Sequence, residues 1–346
     1  MNMHFLRKLP TPKEIKELFP LGENGKIIKE QNDEEIKKIF TGESNKLLLI
    51  IGPCSADNED SVLDYLDRLR KIQEQVKDVI VIVPRLYTNK PRSLGVGYKG
   101  MLHQPDPLSE PDMLKGLISI RKLHMRAIQE TGFSCADEML YTENHRYLSD
   151  LLSYVAVGAR SVENQEHRLT ASGLNIPVGM KNPLSGDLNS CLNSISAAQN
   201  AHKFIYRGWE VESEGNPFTH FILRGFVDKK GHSIPNYDYN TLLELNKIYN
   251  SENFKNPAII IDTNHSNSNK QFEKQIDIVK EVLNYTKENN HLKQIIKGFM
   301  IESYIEDGSQ QIGEGIYGKS ITDPCLGWNK TEELIIYISN HLRNNR

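Results

Sequence analysis

Cys54, Arg85, Glu138, Arg160, Lys181, Arg224, His265 and Glu302 each stand at, or just past, the end of an apolar strand-like run. They sort into two chemistries. Arg85, Arg160, Lys181 and Arg224 form a basic set, joined by Lys90 and Arg92 from the stretch Lys90-Pro91-Arg92-Ser93. Guanidinium forks bind phosphate and carboxylate bidentately, and lysine adds a mobile point charge. So many cations gathered at one mouth would repel one another, so they imply a polyanionic occupant with more than one phosphate. Cys54, His265 and Glu302, with Asp323 from the segment KSITDPCLGW, form the second set. Thiolate, imidazole and two carboxylates suit a divalent transition metal better than Ca²⁺ or Mg²⁺. One such arginine alone would read as a surface ion pair, and one such histidine as a hydrogen-bonded polar group. Their convergence is what points to a site.

The elements that must position these residues follow from periodicity. Leu47 to Ile51 is an unbroken apolar run, which suits a strand buried on both faces, and Gly52-Pro53 stops it ahead of Cys54. From Lys46 onward such runs alternate with helix-period stretches at Ser61–Gln75, Asp112–Glu130, His145–Tyr154, Leu188–Asn200, Tyr239–Tyr249 and Gln271–Lys287. Eight strands alternating with helices predict an α/β fold, a (β/α)8 TIM barrel, whose chemistry lies at the carboxyl ends of the strands. Eight convergent polar residues there are costly to desolvate unless they hold ligands and one another. The segment Lys203–Pro217 reads as an extra β-hairpin before the sixth strand. The domain reading is an N-terminal arm over 1–45 and a catalytic barrel over 46–346. In the arm, Thr11-Pro12-Lys13-Glu14 is a capping box that starts a helix running to about Phe19, and a second helix is expected after Asn32, ending near Gly42. The arm has too little apolar content for a core of its own, so it must pack on a neighbour.

Composition narrows the function. A net charge of −3 gives no basis for a nucleic-acid partner. Four widely spaced cysteines in 346 residues read as reduced thiols rather than a disulfide framework. The opening MNMHFLRKLP has no apolar signal-peptide core, and no run reaches membrane-spanning length, so a cytoplasmic protein without a membrane partner is expected. Gly95-Val96-Gly97-Tyr98-Lys99-Gly100 matches G-x-G-x-x-G, but it lies in a proline-rich loop instead of running from strand into helix, so NAD is not expected.

Together, the stretches IGPCS, RLYTNKPRS, GYKG, VGARSVENQEHR, VGMKN, ILRG, IDTNHSNSNK, MIES and GKSITDPCLGW resemble the type I 3-deoxy-D-arabino-heptulosonate 7-phosphate (DAHP) synthases, in that family's order and over nearly the whole chain. The resemblance implies condensation of phosphoenolpyruvate with erythrose 4-phosphate, the first step towards chorismate and the aromatic amino acids. It implies that Cys54, His265, Glu302 and Asp323 ligate one divalent transition metal, Mn, Fe, Co or Zn. Arg160 and Arg224 would hold the phosphoenolpyruvate phosphate, with Arg85 and Lys181 near its carboxylate and Ala159 lining the same subsite. Lys90, Pro91, Arg92 and Ser93 would face erythrose 4-phosphate; the commoner family form has Thr where Ser93 stands, and Leu94–Val96 is one residue longer than in some members. Lys90, Glu138 and His167, beside Arg160 and Lys181, are the candidates for the catalytic steps. The arm resembles those that serve assembly and feedback inhibition, implying a homodimer or homotetramer and an aromatic amino-acid inhibitor.

Other readings compete. A synthase making 3-deoxy-manno-octulosonate 8-phosphate usually carries K-A-N-R-S where this chain has Lys90-Pro91-Arg92-Ser93. A Schiff-base aldolase would use Lys181 as its nucleophile. A catalytically dead regulatory barrel would be expected to have lost a metal ligand, and none is lost here. Cys325, two residues past Asp323, should lie near Cys54, either as an apolar buried thiol or as a partner able to form a disulfide.

Overall fold

The computed structural model describes residues 2–92, 95 and 97–345. Each apolar run expected to be a strand is one. The eight barrel strands, in chain order, are Leu47–Gly52, Ile80–Pro84, Ala136–Glu138, Tyr154–Val157, Val178–Lys181, Thr219–Leu223, Ile259–Asp262 and Ile296–Glu302. They pair in the order second, first, eighth, seventh, sixth, fifth, fourth, third, and every pairing is parallel. A parallel bridge between Arg85 and Ala136 joins the second strand to the third. The architecture is a (β/α)8 TIM barrel. Alternate strand residues separate into two layers, as the period of two demands. Leu48, Ile50, Val81, Val83, Ile222, Ile260 and Met300 fill the barrel interior, while Leu49, Ile51, Ile82, Leu223 and Ile261 lie in the layer under the surrounding helices.

The arm belongs to this packing. Helix Pro12–Leu18 opens with the expected capping box between Thr11 and Glu14. The second arm helix runs Glu23–Thr41, so it begins well ahead of Asn32. Asn32 caps nothing; its side-chain amide donates instead to the Gly132 carbonyl and to Ser134 Oγ. Ile36, Ile39 and Phe40 of this helix are buried in the interior cluster, and the Phe40 ring lies 4.5 Å from that of His220. The few apolar residues of the arm thus close the floor of the barrel, at the end opposite the loops that carry the charged residues.

Residues 145–154 are not a helix: a short helix, Thr142–His145, gives way to turns, and Tyr154 begins the fourth strand. Tyr154 points into the barrel, where its hydroxyl lies 2.7 Å from His220 Nε2. The expected hairpin is present, as strands His202–Tyr206 and Trp209–Ser213 paired antiparallel. Arg207 and Gly208 turn it with φ of 58° and 78°, the doubly positive turn that matches the twist of a two-residue hairpin loop. Among the described residues no helix is long and apolar enough to cross a membrane.

Candidate active site

The charged residues emerge at the carboxyl ends of the strands. Arg85, Lys90, Pro91, Glu138, Ala159, Arg160, Lys181, Arg224 and His265 line one cavity there. On one wall lies Glu302, the last residue of the eighth strand and fully buried. Arg85, also buried, donates from Nη2 to Glu302 Oε1 at 2.9 Å, and from Nε and Nη2 to the Pro53 and Cys54 carbonyls. Its other terminal nitrogen, Nη1, is buried without a hydrogen-bond partner among the described residues. Burial opposes the Glu302 charge, but Arg85, His265 and Lys90 outweigh it and hold the carboxyl below its ordinary pKa.

Cys54 Sγ, a Glu302 oxygen and an Asp323 oxygen all lie within 4.8 Å of one another. His265 Nε2 is 4.0 Å from Glu302 Oε1, on the same wall. This mixed sulfur–oxygen set beside an imidazole is chemically suited to a transition metal. Lys90 Nζ sits 2.7 Å from Cys54 Sγ. Burial disfavours the Lys90 ammonium, yet Cys54, Glu302 and Asp323 raise its pKa above that of ordinary lysine. Burial, and then Glu302, push the Cys54 thiol up, against the pull of Lys90. Asp323 is held below the usual carboxylate range, where Lys90 and Lys270 overcome the effect of burial. Cys325 is a buried free thiol, like the other three cysteines, and its Sγ donates to the Asp323 carbonyl at 3.6 Å.

On the opposite wall Lys181 Nζ stands 3.5 Å from Glu138 Oε2 and 3.9 Å from Asp262 Oδ2. Tyr87 offers its ring face to both Arg85 and Lys181, 3.8 and 5.3 Å from the centroid. Gly158 makes room for Glu138, because a Cβ there would lie 2.6 Å from the carboxylate. Arg224 is buried, and desolvation lowers its pKa despite Asp262, with Arg160 adding to the effect. Arg160 is exposed at the cavity rim, and exposed Arg92 donates to the Tyr98 carbonyl. His167 is engaged behind the rim: Nε2 is 3.1 Å from the Leu140 carbonyl and Nδ1 is 3.2 Å from Asn164 Oδ1. Ser93 lies outside the described residues.

The DAHP synthetase I family matches residues 25–335. The chain belongs to this family. It is 35% identical to the Phe-sensitive phospho-2-dehydro-3-deoxyheptonate aldolase of Escherichia coli K12, over 99% of this chain and 96% of that one. It is also 35% identical to the phenylalanine-inhibited aldolase of Saccharomyces cerevisiae, covering 98% and 92% respectively. The phospho-2-dehydro-3-deoxyheptonate aldolase of Francisella tularensis superposes with a TM-score of 0.91 over the whole of both chains, at 28% identity.

Within this DAHP synthetase fold several supporting residues were not singled out by the sequence reading. Asp262, fully buried, places Oδ2 2.8 Å from His265 Nδ1. Asn264 donates to Glu302 Oε2 at 2.5 Å. Gln275 clamps the Glu302 backbone, accepting from its N–H and donating to its carbonyl, both at 2.9 Å. Asn182 accepts the Arg224 N–H at 2.9 Å and an amide hydrogen bond from Asn236 at 3.1 Å. Asn267 fixes the seventh-strand loop by donating to the Leu223 and Asp262 carbonyls. Only Asp262 carried a usable signal, as an acid three residues before a proposed histidine ligand. The amides are polar residues most of whose partners lie far away in the chain, and spacing does not disclose them.

Proposed function

We propose that this protein condenses phosphoenolpyruvate with D-erythrose 4-phosphate and water, giving 3-deoxy-D-arabino-heptulosonate 7-phosphate and phosphate, the entry step to chorismate and the aromatic amino acids. One observation carries the reading. Arg85, of the basic set, pairs through Nη2 with Glu302 of the ligand set, and its buried Nη1, without a hydrogen-bond partner among the described residues, would take an anion in the cavity. An anion held by that guanidinium would lie directly against the proposed metal-binding wall, the arrangement needed to bring a phosphorylated enol up to an aldehyde.

Cys54, His265, Glu302 and Asp323 would hold one divalent transition metal, Mn, Fe, Co or Zn. When bound, such an ion supplies Lewis-acid polarisation of the aldehyde oxygen. The chain does the rest by binding and orientation. Arg160 and Arg224 hold the phosphate of phosphoenolpyruvate, and Arg85 and Lys181 its carboxylate, with Ala159 beside them. Lys90, Pro91, Arg92 and Ser93 orient erythrose 4-phosphate. C3 of phosphoenolpyruvate then bonds to the aldehyde carbon, water adds at C2, and the resulting hemiketal phosphate releases phosphate. Preorganised cations around the developing charge supply electrostatic stabilisation. Lys90 and Glu138 line the cavity, where they can move protons; His167, against the Leu140 carbonyl and Asn164, would position the cavity rim.

The relatives' names, Phe-, Tyr- and Trp-sensitive, support an aromatic amino acid as feedback inhibitor. Residues 1–45 would serve assembly and regulation, and 46–346 catalysis. Phe5, Leu6, Ile205 and Trp209 are exposed on the arm and hairpin, which supports a homodimer or homotetramer. Four free cysteines support a cytoplasmic location. The test is mass analysis of the product: a phosphorylated seven-carbon 3-deoxy sugar acid formed with one equivalent of phosphate supports the assignment. An eight-carbon product formed from arabinose 5-phosphate would support the sister synthase instead.

A further inference from the structure

The four proposed ligands are held in different ways. Glu302 is pinned by Arg85 and Asn264, His265 is backed by Asp262, and Cys54 faces Lys90. Asp323 comes from an irregular segment past the last strand, and its side chain is half-exposed. Its backbone carbonyl accepts from Ser320 Oγ, and its carboxylate accepts from Lys270 Nζ at 2.8 Å through Oδ1. Lys270 belongs to the loop that carries His265, and its backbone N–H donates to the His265 carbonyl at 2.9 Å. The loop is costly to form. Of five non-glycine residues with positive φ among the described residues, three lie here, His265, Asn269 and Lys270, at 49°, 51° and 57°. Left-handed backbone at non-glycine residues persists where surrounding contacts over-determine it, and it concentrates at functional sites.

We propose that Lys270 is a positioning residue for the metal centre. It ties the His265 loop to the Asp323 segment and fixes one carboxylate oxygen, so that Asp323 presents the other towards Cys54 and Glu302. The inference rests on reading Cys54, His265, Glu302 and Asp323 as ligands. Outer-shell partners that orient ligating carboxylates typically contribute roughly 10–100-fold to metal affinity. A partly exposed lysine belongs at the lower end of that range. Simple charge repulsion between the ammonium and a bound cation acts in the opposite sense. If Lys270 were only a neighbouring cation, removing it would tighten binding.

The experiment is Mn²⁺ titration of the metal-stripped full-length protein without substrates, following free Mn²⁺ by electron paramagnetic resonance. Wild type should bind one ion per chain, and Glu302→Ala should lose it; failure of either result overturns the ligand reading itself. Lys270→Met should raise the Mn²⁺ Kd by about 10-fold, and Lys270→Arg should recover most of that loss. Circular dichroism of both variants should match wild type, because the side chain is 58% exposed. With the ligand reading intact, unchanged or tighter binding in Lys270→Met would overturn the proposal. So would an equal loss in Lys270→Met and Lys270→Arg, which would trace the effect to the loop backbone instead of the charge.

Discussion

Replacing Asp262 with asparagine tests how the site is wired at the level of a single proton. Asp262 Oδ1 accepts the Asn264 N–H at 3.0 Å, and Oδ2 faces His265 Nδ1 at 2.8 Å. The two atoms approach as an ion pair and are not aligned as a hydrogen bond, but the carboxylate's charge still favours a proton on Nδ1, which leaves the Nε2 lone pair directed towards Glu302 and the proposed ligand wall. In Asp262→Asn, the side-chain oxygen stays on the Asn264 N–H, and an NH₂ group then faces Nδ1. That NH₂ can only donate, so the imidazole proton moves to Nε2 and blocks ligation. Rotating the amide is no escape, because it would set NH₂ against the Asn264 N–H. A lost outer-shell carboxylate costs roughly 10–100-fold in metal affinity, or about 1.4–2.8 kcal/mol. The assay is Mn²⁺ titration of Asp262→Asn, His265→Ala and the double variant. The two effects should be strongly non-additive, because both act through one nitrogen. A Kd for Asp262→Asn indistinguishable from wild type would refute the reasoning, as would losses that simply add.

Other outcomes follow from the same contacts. Phe40→Ala should destabilise the protein by ~3–5 kcal/mol in urea unfolding, the usual cost of emptying a buried phenyl site, because Phe40 is buried at the barrel floor against His220. His145 and His220 are both depressed from 6.5 to about 4, chiefly by burial. As pH falls from 6.5 towards 4 the unfolded chain therefore takes protons first, and stability should drop by up to about 3 kcal/mol per histidine. Denaturant unfolding across that window should show the loss, and a His145→Asn/His220→Gln variant should flatten it. Arg160→Ala should impair use of phosphoenolpyruvate far more than Arg92→Ala, whose main effect should be a higher KM for erythrose 4-phosphate; steady-state kinetics with each substrate varied separates the two.

The barrel was legible because its strands are continuous apolar runs that stop at charged residues, and because buried parallel strands leave that trace. The convergence of Cys54, His265, Glu302 and Asp323 was legible only as chemistry: the residue types are unusual together, but their spacing in the chain says nothing about distance. The arm was harder to read. Its apolar residues are too few for a core of their own, and nothing local reveals that Ile36, Ile39 and Phe40 fill the floor of a barrel built from later residues. Residues 145–154 have helical periodicity, but the fourth strand takes Tyr154 for the barrel interior. Asn32 resembles a cap, so the sequence points to a start for the second arm helix later than Glu23, whereas the Asn32 amide serves a contact a hundred residues away. The amide network around Arg224 and Glu302 left no trace in spacing, since most of its hydrogen bonds join segments distant in the chain.

In the proposed reaction a metal-binding wall and a cationic cradle act together on two phosphorylated substrates. Phosphate release from phosphoenolpyruvate, measured with and without erythrose 4-phosphate, before and after chelation, tests it most directly. Release should occur only when both substrates are present, be lost on treatment with EDTA, and return when Mn²⁺, Fe²⁺ or Co²⁺ is added back. Full release from protein shown to be free of metal, or release that does not require erythrose 4-phosphate, would contradict it.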